Sequence, residues 1–256
     1  MSGGYEQPPF GQSVPQVADQ QPGPPEIEDA VGWAWRRLWA NAGPFLLMGL
    51  LALIPFGLLA GFGVSTAMSD PRSVGAGTGG TVLAIVMRGP GYAIGTLVVM
   101  AWSLLVGAFM WRGALKATVS PKVTLADFFD TTNLGRYLVA AIVLQVANYV
   151  LGMIPFAGTI AGIVLVALAM FFVEPLVLDQ AMPLGQAIQT SWRTVFSGRN
   201  IGGLLLLGFI FGLIVIAGFL ALVIGLIAVM PLSSLGMAYT YKRTLGLPVI
   251  PAPKAA

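Results

Sequence analysis

EIEDAVGWAWRRLWANAGPFLLMGLLALI, residues 26–54, decides how this chain folds. Its first half is amphipathic. Pro24 and Pro25 precede it, Glu26, Glu28 and Asp29 open it, and Arg36 and Arg37 close it. Acid at the start and base at the end complement a helix dipole. Ile27, Val31, Trp35 and Leu38 recur at helical spacing, which predicts one apolar face. Trp33, Trp35 and Trp39 place half of the chain's six tryptophans within seven residues. Indoles favour the headgroup zone, so this helix is expected to lie on a membrane surface with Trp33, Trp35, Trp39, Arg36 and Arg37 as its anchors. From Pro44 onward the stretch is apolar and reads as the start of a membrane span. A surface helix thus turns into a spanning helix.

The rest of the chain repeats that unit. Apolar runs at 44–68, 91–112, 137–154, 158–178, 201–218 and 220–240 predict six spans, against a requirement of about 20 residues each with latitude for tilt. Gly152 to Gly158 forms a tight turn between the third and fourth, and Gly218 is the expected break between the fifth and sixth. A single kinked, re-entrant element is the alternative for that last pair. Two connections carry helical patterns. In 123–135, Thr124 is an N-cap, Asp127 sits three residues on as in a capping box, and Leu125, Phe128 and Phe129 are apolar. In 183–197, Leu184, Ile188, Trp192, Val195 and Phe196 form a stripe opposite Gln186, Gln189 and Arg193, with Trp192 a further interface anchor.

The expected architecture is an all-α membrane protein of six transmembrane helices. It reads as three parallel repeats of a cytoplasmic amphipathic helix and a two-span hairpin, at about 26–112, 123–178 and 183–243. Each repeat has a polar turn before its first span: Arg36-Arg37 with Asn41, Asn133 with Arg136, and Arg199-Asn200. Inverted repeats are a frequent mark of secondary transporters, and these are not inverted.

Charge supplies the orientation. Of 13 basic residues, only Arg72 and Arg88 fall on one face; Arg36, Arg37, Arg112, Lys116, Lys122, Arg136, Arg193, Arg199, Lys242, Arg243 and Lys254 fall on the other. The positive-inside rule makes the crowded face cytoplasmic and places both termini there, in the plasma membrane. Composition agrees: 57% hydrophobic and 9% charged residues, with a mean hydropathy of +0.85, where soluble domains carry about 25% charged residues. Residues 1–25 are rich in Gly, Gln and Pro and read as a disordered cytoplasmic tail; 246–256 read as a short second tail. With no cleavable signal in view, the first span is expected to act as a signal-anchor.

Chemistry is sparse. The chain has no cysteine and no histidine, which excludes thiol chemistry, disulfides and imidazole-ligated metals or haem. Gly75, Gly77 and Gly80 match a G-x-G-x-x-G spacing, but in a glycine-rich connection without the strand and helix that motif requires. Small-xxx-small pairs such as Gly57/Gly61 and Gly208/Gly212 permit close packing, yet 33 glycines in 256 residues produce such pairs by chance. Asp127 and Asp130 lack a third partner for metal or catalysis. The intramembrane polar candidates are Gln145 and Asn148 in the third span and Glu174 in the fourth. Gln145, Asn148 and Tyr149 read as an interhelical hydrogen-bond clamp, with a polar substrate lining as the rival reading. Glu174 is expected to pair with a basic residue of a neighbouring surface helix, such as Arg193 or Arg136, with carriage of a proton or cation as the rival reading.

Several short stretches resemble an actinobacterial family of integral membrane proteins with Pro/Gly-rich N-termini. They are Ala30-Val31-Gly32-Trp33-Ala34-Trp35, Thr124 to Phe129 with Asn133-Leu134-Gly135, Ser197 to Gly203, and Tyr239-Thr240-Tyr241-Lys242-Arg243. More distantly the architecture is similar to the membrane domain found beside some glycerophosphodiester phosphodiesterases. The resemblance implies a plasma-membrane address and supplies no site residues, cofactor or activity. The expected function is non-catalytic, as an accessory, scaffold or assembly factor for membrane complexes or envelope machinery. The alternative is a transporter or binding protein for a lipid or other small hydrophobic molecule. Expected partners are membrane lipids, anionic on the cytoplasmic face, and other integral membrane proteins, with no nucleic acid.

Overall fold

The computed structural model describes residues 23–54, 90–152, 171–197, 201–220 and 224–253. Among these the chain is all helical, without a strand. The N-terminal tail through 22, residues 55–89 with Arg72, Arg88 and the glycine motif, the turn and most of the fourth apolar run at 153–170, and Arg199-Asn200 lie outside the described residues.

Helix α1, Ile27–Ala40, starts where the Pro24-Pro25 pair ends and carries Glu28 and Asp29 in its first turn and Arg37 in its last, as the dipole argument requires. It meets α2, Ala42–Ile54, at 101°. Asn41 makes the corner: its side-chain amide donates to the Arg37 carbonyl at 3.3 Å, and its oxygen accepts the Val123 N–H at 2.9 Å. The buried face of α1 differs from the stripe expected from spacing. It comprises Ala30, Trp33, Ala34, Arg37 and Leu38, while Trp35 is half exposed and Ile27 and Val31 sit at the margin of the core. Two alanines allow close approach to the neighbouring helix, and Trp33 and Arg37 reach across it because each finds polar acceptors inside the protein.

Helix α3, Pro90–Val119, is 30 residues long, and Leu97–Val119 is apolar and long enough to cross a membrane. The second apolar run therefore continues as helix seven residues beyond the expected end at 112. Arg112 and Lys116 do not stop it, because they pair with Asp130 and Asp127 of the following segment at 3.6 and 3.4 Å. That segment contains the short helix α4, Leu125–Phe128, with the capping box in place: Asp127 accepts both the Thr124 N–H at 2.8 Å and its hydroxyl at 2.7 Å. Helix α5, Leu134–Gly152, follows.

Helix α6, Val173–Gln180, corrects the expectation of one continuous span to 178. Residues 171 and 172 form a turn, and the Phe172 N–H is taken by the Ser191 hydroxyl at 3.1 Å. Pro175 explains why the helix begins here. Inside a continuing helix it would delete a backbone bond, whereas in a first turn its missing N–H costs nothing. Helix α7, Leu184–Phe196, meets the next apolar helix at 102°, much as α1 meets α2.

Helices α8, Ile201–Leu220, and α9, Ile224–Thr244, close the chain. Helix continues through Gly218, so the break is not there. Gly218 instead faces Val229, and Gly236 faces the Phe211 ring, a register that makes α8 and α9 an antiparallel hairpin of two full helices. Gly218 packs because it has no side chain to displace Val229: a Cβ there would stand 2.8 Å from a Val229 methyl.

Helix α9 is the central element, packed on α1, α3 and α8. Trp33 stacks on Tyr239 with ring centres 5.0 Å apart. Gly49 of α2 lies directly against the Ile227 carbonyl of α9. Pro231 has no N–H, so that carbonyl lacks its helical donor, and the glycine lets the α2 backbone cover it.

Candidate functional site

One end of the bundle is polar and knitted together by contacts between distant segments. The Arg37 guanidinium, almost wholly buried, donates to the carbonyls of Pro121 and Pro251, each at 3.3 Å, and lies 5.6 Å from the Trp33 ring centre. The Trp33 indole donates to the Ile250 carbonyl at 3.0 Å, and the Ile250 N–H donates to the Thr118 carbonyl at 2.9 Å. The C-terminal segment is thus strapped to the body rather than hanging free. Gly246, with φ of 68°, turns the chain out of α9 so that the Leu247 N–H returns to the Lys242 carbonyl at 2.8 Å, the pattern of a Schellman cap.

At the same end Asn133 donates to the Leu178 carbonyl at 3.4 Å and Arg136 to the Ala181 carbonyl at 2.6 Å. Asp179 accepts from Lys242 at 2.7 Å and from the Tyr241 hydroxyl at 3.0 Å, and Gln180 donates to that hydroxyl at 3.0 Å. Asp127 and Asp130 are explained as local caps. The Thr124 backbone and hydroxyl hold the Asp127 carboxyl below the usual carboxylate range, and the Thr132 hydroxyl and backbone do the same for Asp130. Among the described residues no cluster of side chains is set to hold a metal ion.

Deeper in the bundle lies a cavity of about 270 Å³. Ala52 of α2, Ser103, Val106, Gly107, Met110 and Trp111 of α3, and Met230 and Ser234 of α9 line it. Behind its α3 wall, the Trp111 indole donates to Glu174 Oε2 at 2.6 Å. The ion pair expected for Glu174 is replaced by this bond. Among the described residues the ion pairs are Arg112–Asp130, Lys116–Asp127 and Lys242–Asp179, and Arg136 is engaged with a carbonyl. Glu174 sits on α6, whose buried face turns toward α3 and α5, and an indole N–H is the donor found there.

The other sequence candidates disperse. Gln145 lies on the exposed face of α5 beside Ile142 and Val146 and takes no part in the Trp111–Glu174 contact. Asn148 and Tyr149 lie within α5, with side chains outside the described set. Trp35, Trp39 and Trp192 are about half exposed, Arg36 is exposed, and Trp33 and Arg37 point into the protein. Trp111, Ser103, Ser234 and Lys242 with Asp179 went unread in the sequence. One signal pointed to Trp111: an indole N–H within an apolar run needs an acceptor.

The chain is 26% identical over 239 residues to an uncharacterised protein of Mycobacterium tuberculosis, in a match spanning 90% of this chain and 72% of the relative. An uncharacterised protein of Mycobacterium bovis matches to the same extent. Its relatives are mycobacterial. That accords with the actinobacterial part of the resemblance; the phosphodiesterase-associated domain is not among the matches. No family model and no solved structure matches the chain.

Proposed function

We propose that this is a non-catalytic, multi-pass protein of the plasma membrane that serves as an accessory or scaffold for membrane complexes or envelope machinery. In this reading six spans form three repeats of surface helix and hairpin, with both termini cytoplasmic. The observation that carries it is the pair of right-angle joints, 101° at α1–α2 and 102° at α7–α8. At each, an amphipathic helix leads into an apolar one, with Trp35 and Trp39 half exposed on α1 and Trp192 on α7. The outward faces of the long helices support the same reading: Val139, Ile142, Val146 and Val150 on α5 and Leu205, Leu206, Phe209 and Leu213 on α8 are exposed. Apolar surface on this scale is an aggregation hazard in water and the ordinary surface of a protein in lipid. Trp35, Trp39, Trp192 and Arg36 then form a cytoplasmic rim suited to anionic headgroups or to a neighbouring membrane protein.

Topology and partnership are tested separately. A reporter active only outside the cytoplasm should give signal when fused after Ser73 and none when fused after Ala256; the reverse pattern defeats the charge argument. A tagged pull-down from native membranes should recover a stoichiometric protein partner, and substituting Trp35 and Trp39 together by alanine should release it without unfolding the chain. Recovery of one lipid class with no protein instead favours the second reading, a binding protein for lipid or a small hydrophobic molecule. The cavity beside Trp111 and Glu174 is the observation behind that reading. Under it, Glu174→Gln abolishes function in a normally inserted protein; under the scaffold reading the same change is tolerated.

A further inference from the structure

We propose that the cavity between α2, α3 and α9 is a binding site for a single alkyl chain. This rests on the reading of α3 as a membrane span. The cavity lies along Leu97–Val119, so what reaches it comes from the hydrocarbon phase. Its volume of about 270 Å³ is nearly twice that of an engineered cavity that holds benzene and lies below the range of drug-sized pockets. That admits one slender chain and excludes a whole lipid or a bulky ring system.

The lining selects an apolar guest. Val106, Met110, Trp111 and Met230 are apolar, and the two hydroxyls present have committed their donors. Ser103 donates to the Val99 carbonyl at 2.9 Å and Ser234 to the Met230 carbonyl at 3.1 Å, each one turn back in its own helix. A water needs about two to four polar partners, and these walls offer it two hydroxyl oxygens as acceptors and no free hydroxyl donor. The flexible thioethers of Met110 and Met230 adapt to a chain of variable shape. The walls are also fixed independently of any guest. Glu174 holds the Trp111 ring in place through its indole N–H, and Tyr137 backs Gly107, where a Cβ would stand 3.1 Å from the phenol oxygen. The cavity therefore persists instead of collapsing when empty. A lipid tail and a free single-chain alcohol or acid share the chemistry it accepts.

Fluorine NMR on the full-length protein labelled with fluorotryptophan, in phosphatidylglycerol nanodiscs, reads this directly. The Trp111 resonance is assigned by its loss in Trp111→Phe. Decanol should shift Trp111 saturably while lipid-facing Trp102 responds only in proportion to added alcohol. Ser103→Leu fills the cavity without removing a needed donor, and should weaken the saturable response at least about tenfold. The remaining tryptophan resonances report its folding, and if they move, Ala52→Leu fills the same space from α2 and is read in its place. A Trp111 shift already present in chain-brominated lipid, abolished in the filled variant, assigns the guest to bilayer lipid; a shift with decanol alone assigns it to a free chain. An unsaturable Trp111 response, or one that survives filling, overturns the proposal. Broadening of Trp102 by a water-soluble paramagnetic reagent would instead show that α3 is outside the bilayer, so failure of the span reading is distinguishable from failure of the site.

Discussion

Gly49→Ala tests the packing on which the whole bundle depends. A Cβ at this position would overlap the Ile227 carbonyl oxygen and stand 2.9 Å from its carbon. Both are backbone atoms, so no side chain can rotate away. Ordinary contact requires about 3.5 Å, so α2 must move off α9 by roughly 1–1.5 Å. Overpacking of this kind costs about 1–3 kcal/mol. Loss of the Cα–H contact that covers the carbonyl freed by Pro231 adds about 0.5–1 kcal/mol. The better helix propensity of alanine offsets about 1 kcal/mol. The net expectation is a loss of about 0.5–3 kcal/mol. Gly43→Ala is the matched control on the same helix: nothing lies within 4 Å of its Cβ position, so it should be neutral or stabilising by about 0.5 kcal/mol. Thermal unfolding in detergent, followed by near-ultraviolet circular dichroism at one scan rate, compares the two. Gly49→Ala should lower the apparent Tm by roughly 1–12 °C, and Gly43→Ala should not lower it. A Gly49→Ala protein as stable as the control would refute the α2–α9 contact and, with it, the α2 wall of the cavity.

Three further outcomes follow from the polar end. Lys242→Met strands Asp179, whose side chain is 22% exposed; the loss should approach but not reach the roughly 3–5 kcal/mol of a fully buried broken pair, and Asp179→Leu added to it should restore part of the stability in the same melt. Asp127→Ala should cost about 1 kcal/mol through loss of the α4 cap. Because the native Asp127 carboxyl titrates below its unfolded value of about 3.9, its contribution is present above that pH and fades as pH falls through the lower native value, a fading absent from Asp127→Ala. Removing residues 247–256 takes away the Ile250 and Pro251 carbonyls and leaves Trp33 and Arg37 with buried unpaired donors; a drop in Tm of several degrees is expected, together with faster proteolysis near α1. An unchanged melt would mean the strap carries no weight.

Local rules were legible in the sequence. The start of α1, the α4 capping box of Thr124 and Asp127, and the extent of α7 follow from dipole, capping and periodicity, which act within a turn or two of the chain. The candidate site was barely legible. Glu174 was singled out for its cost in an apolar setting, but its partner lies 63 residues away at Trp111, and no spacing rule spans that distance.

By itself, the sequence determined an all-helical chain with long apolar runs, amphipathic helices ahead of them, and basic residues confined to recurring segments. These are sums of local free energies, of helix propensity and of transfer from water, and each residue contributes to them regardless of its distant neighbours. Tertiary structure alone decided that Trp33 and Arg37 turn inward to a C-terminal strap, that a helix begins at Val173 after a turn closed by Ser191, and that Gly49 meets the carbonyl freed by Pro231. Those outcomes depend on which acceptor or which gap another segment presents. A buried polar group must be satisfied by whatever comes within about 3 Å of it, and only the packed chain decides what that is.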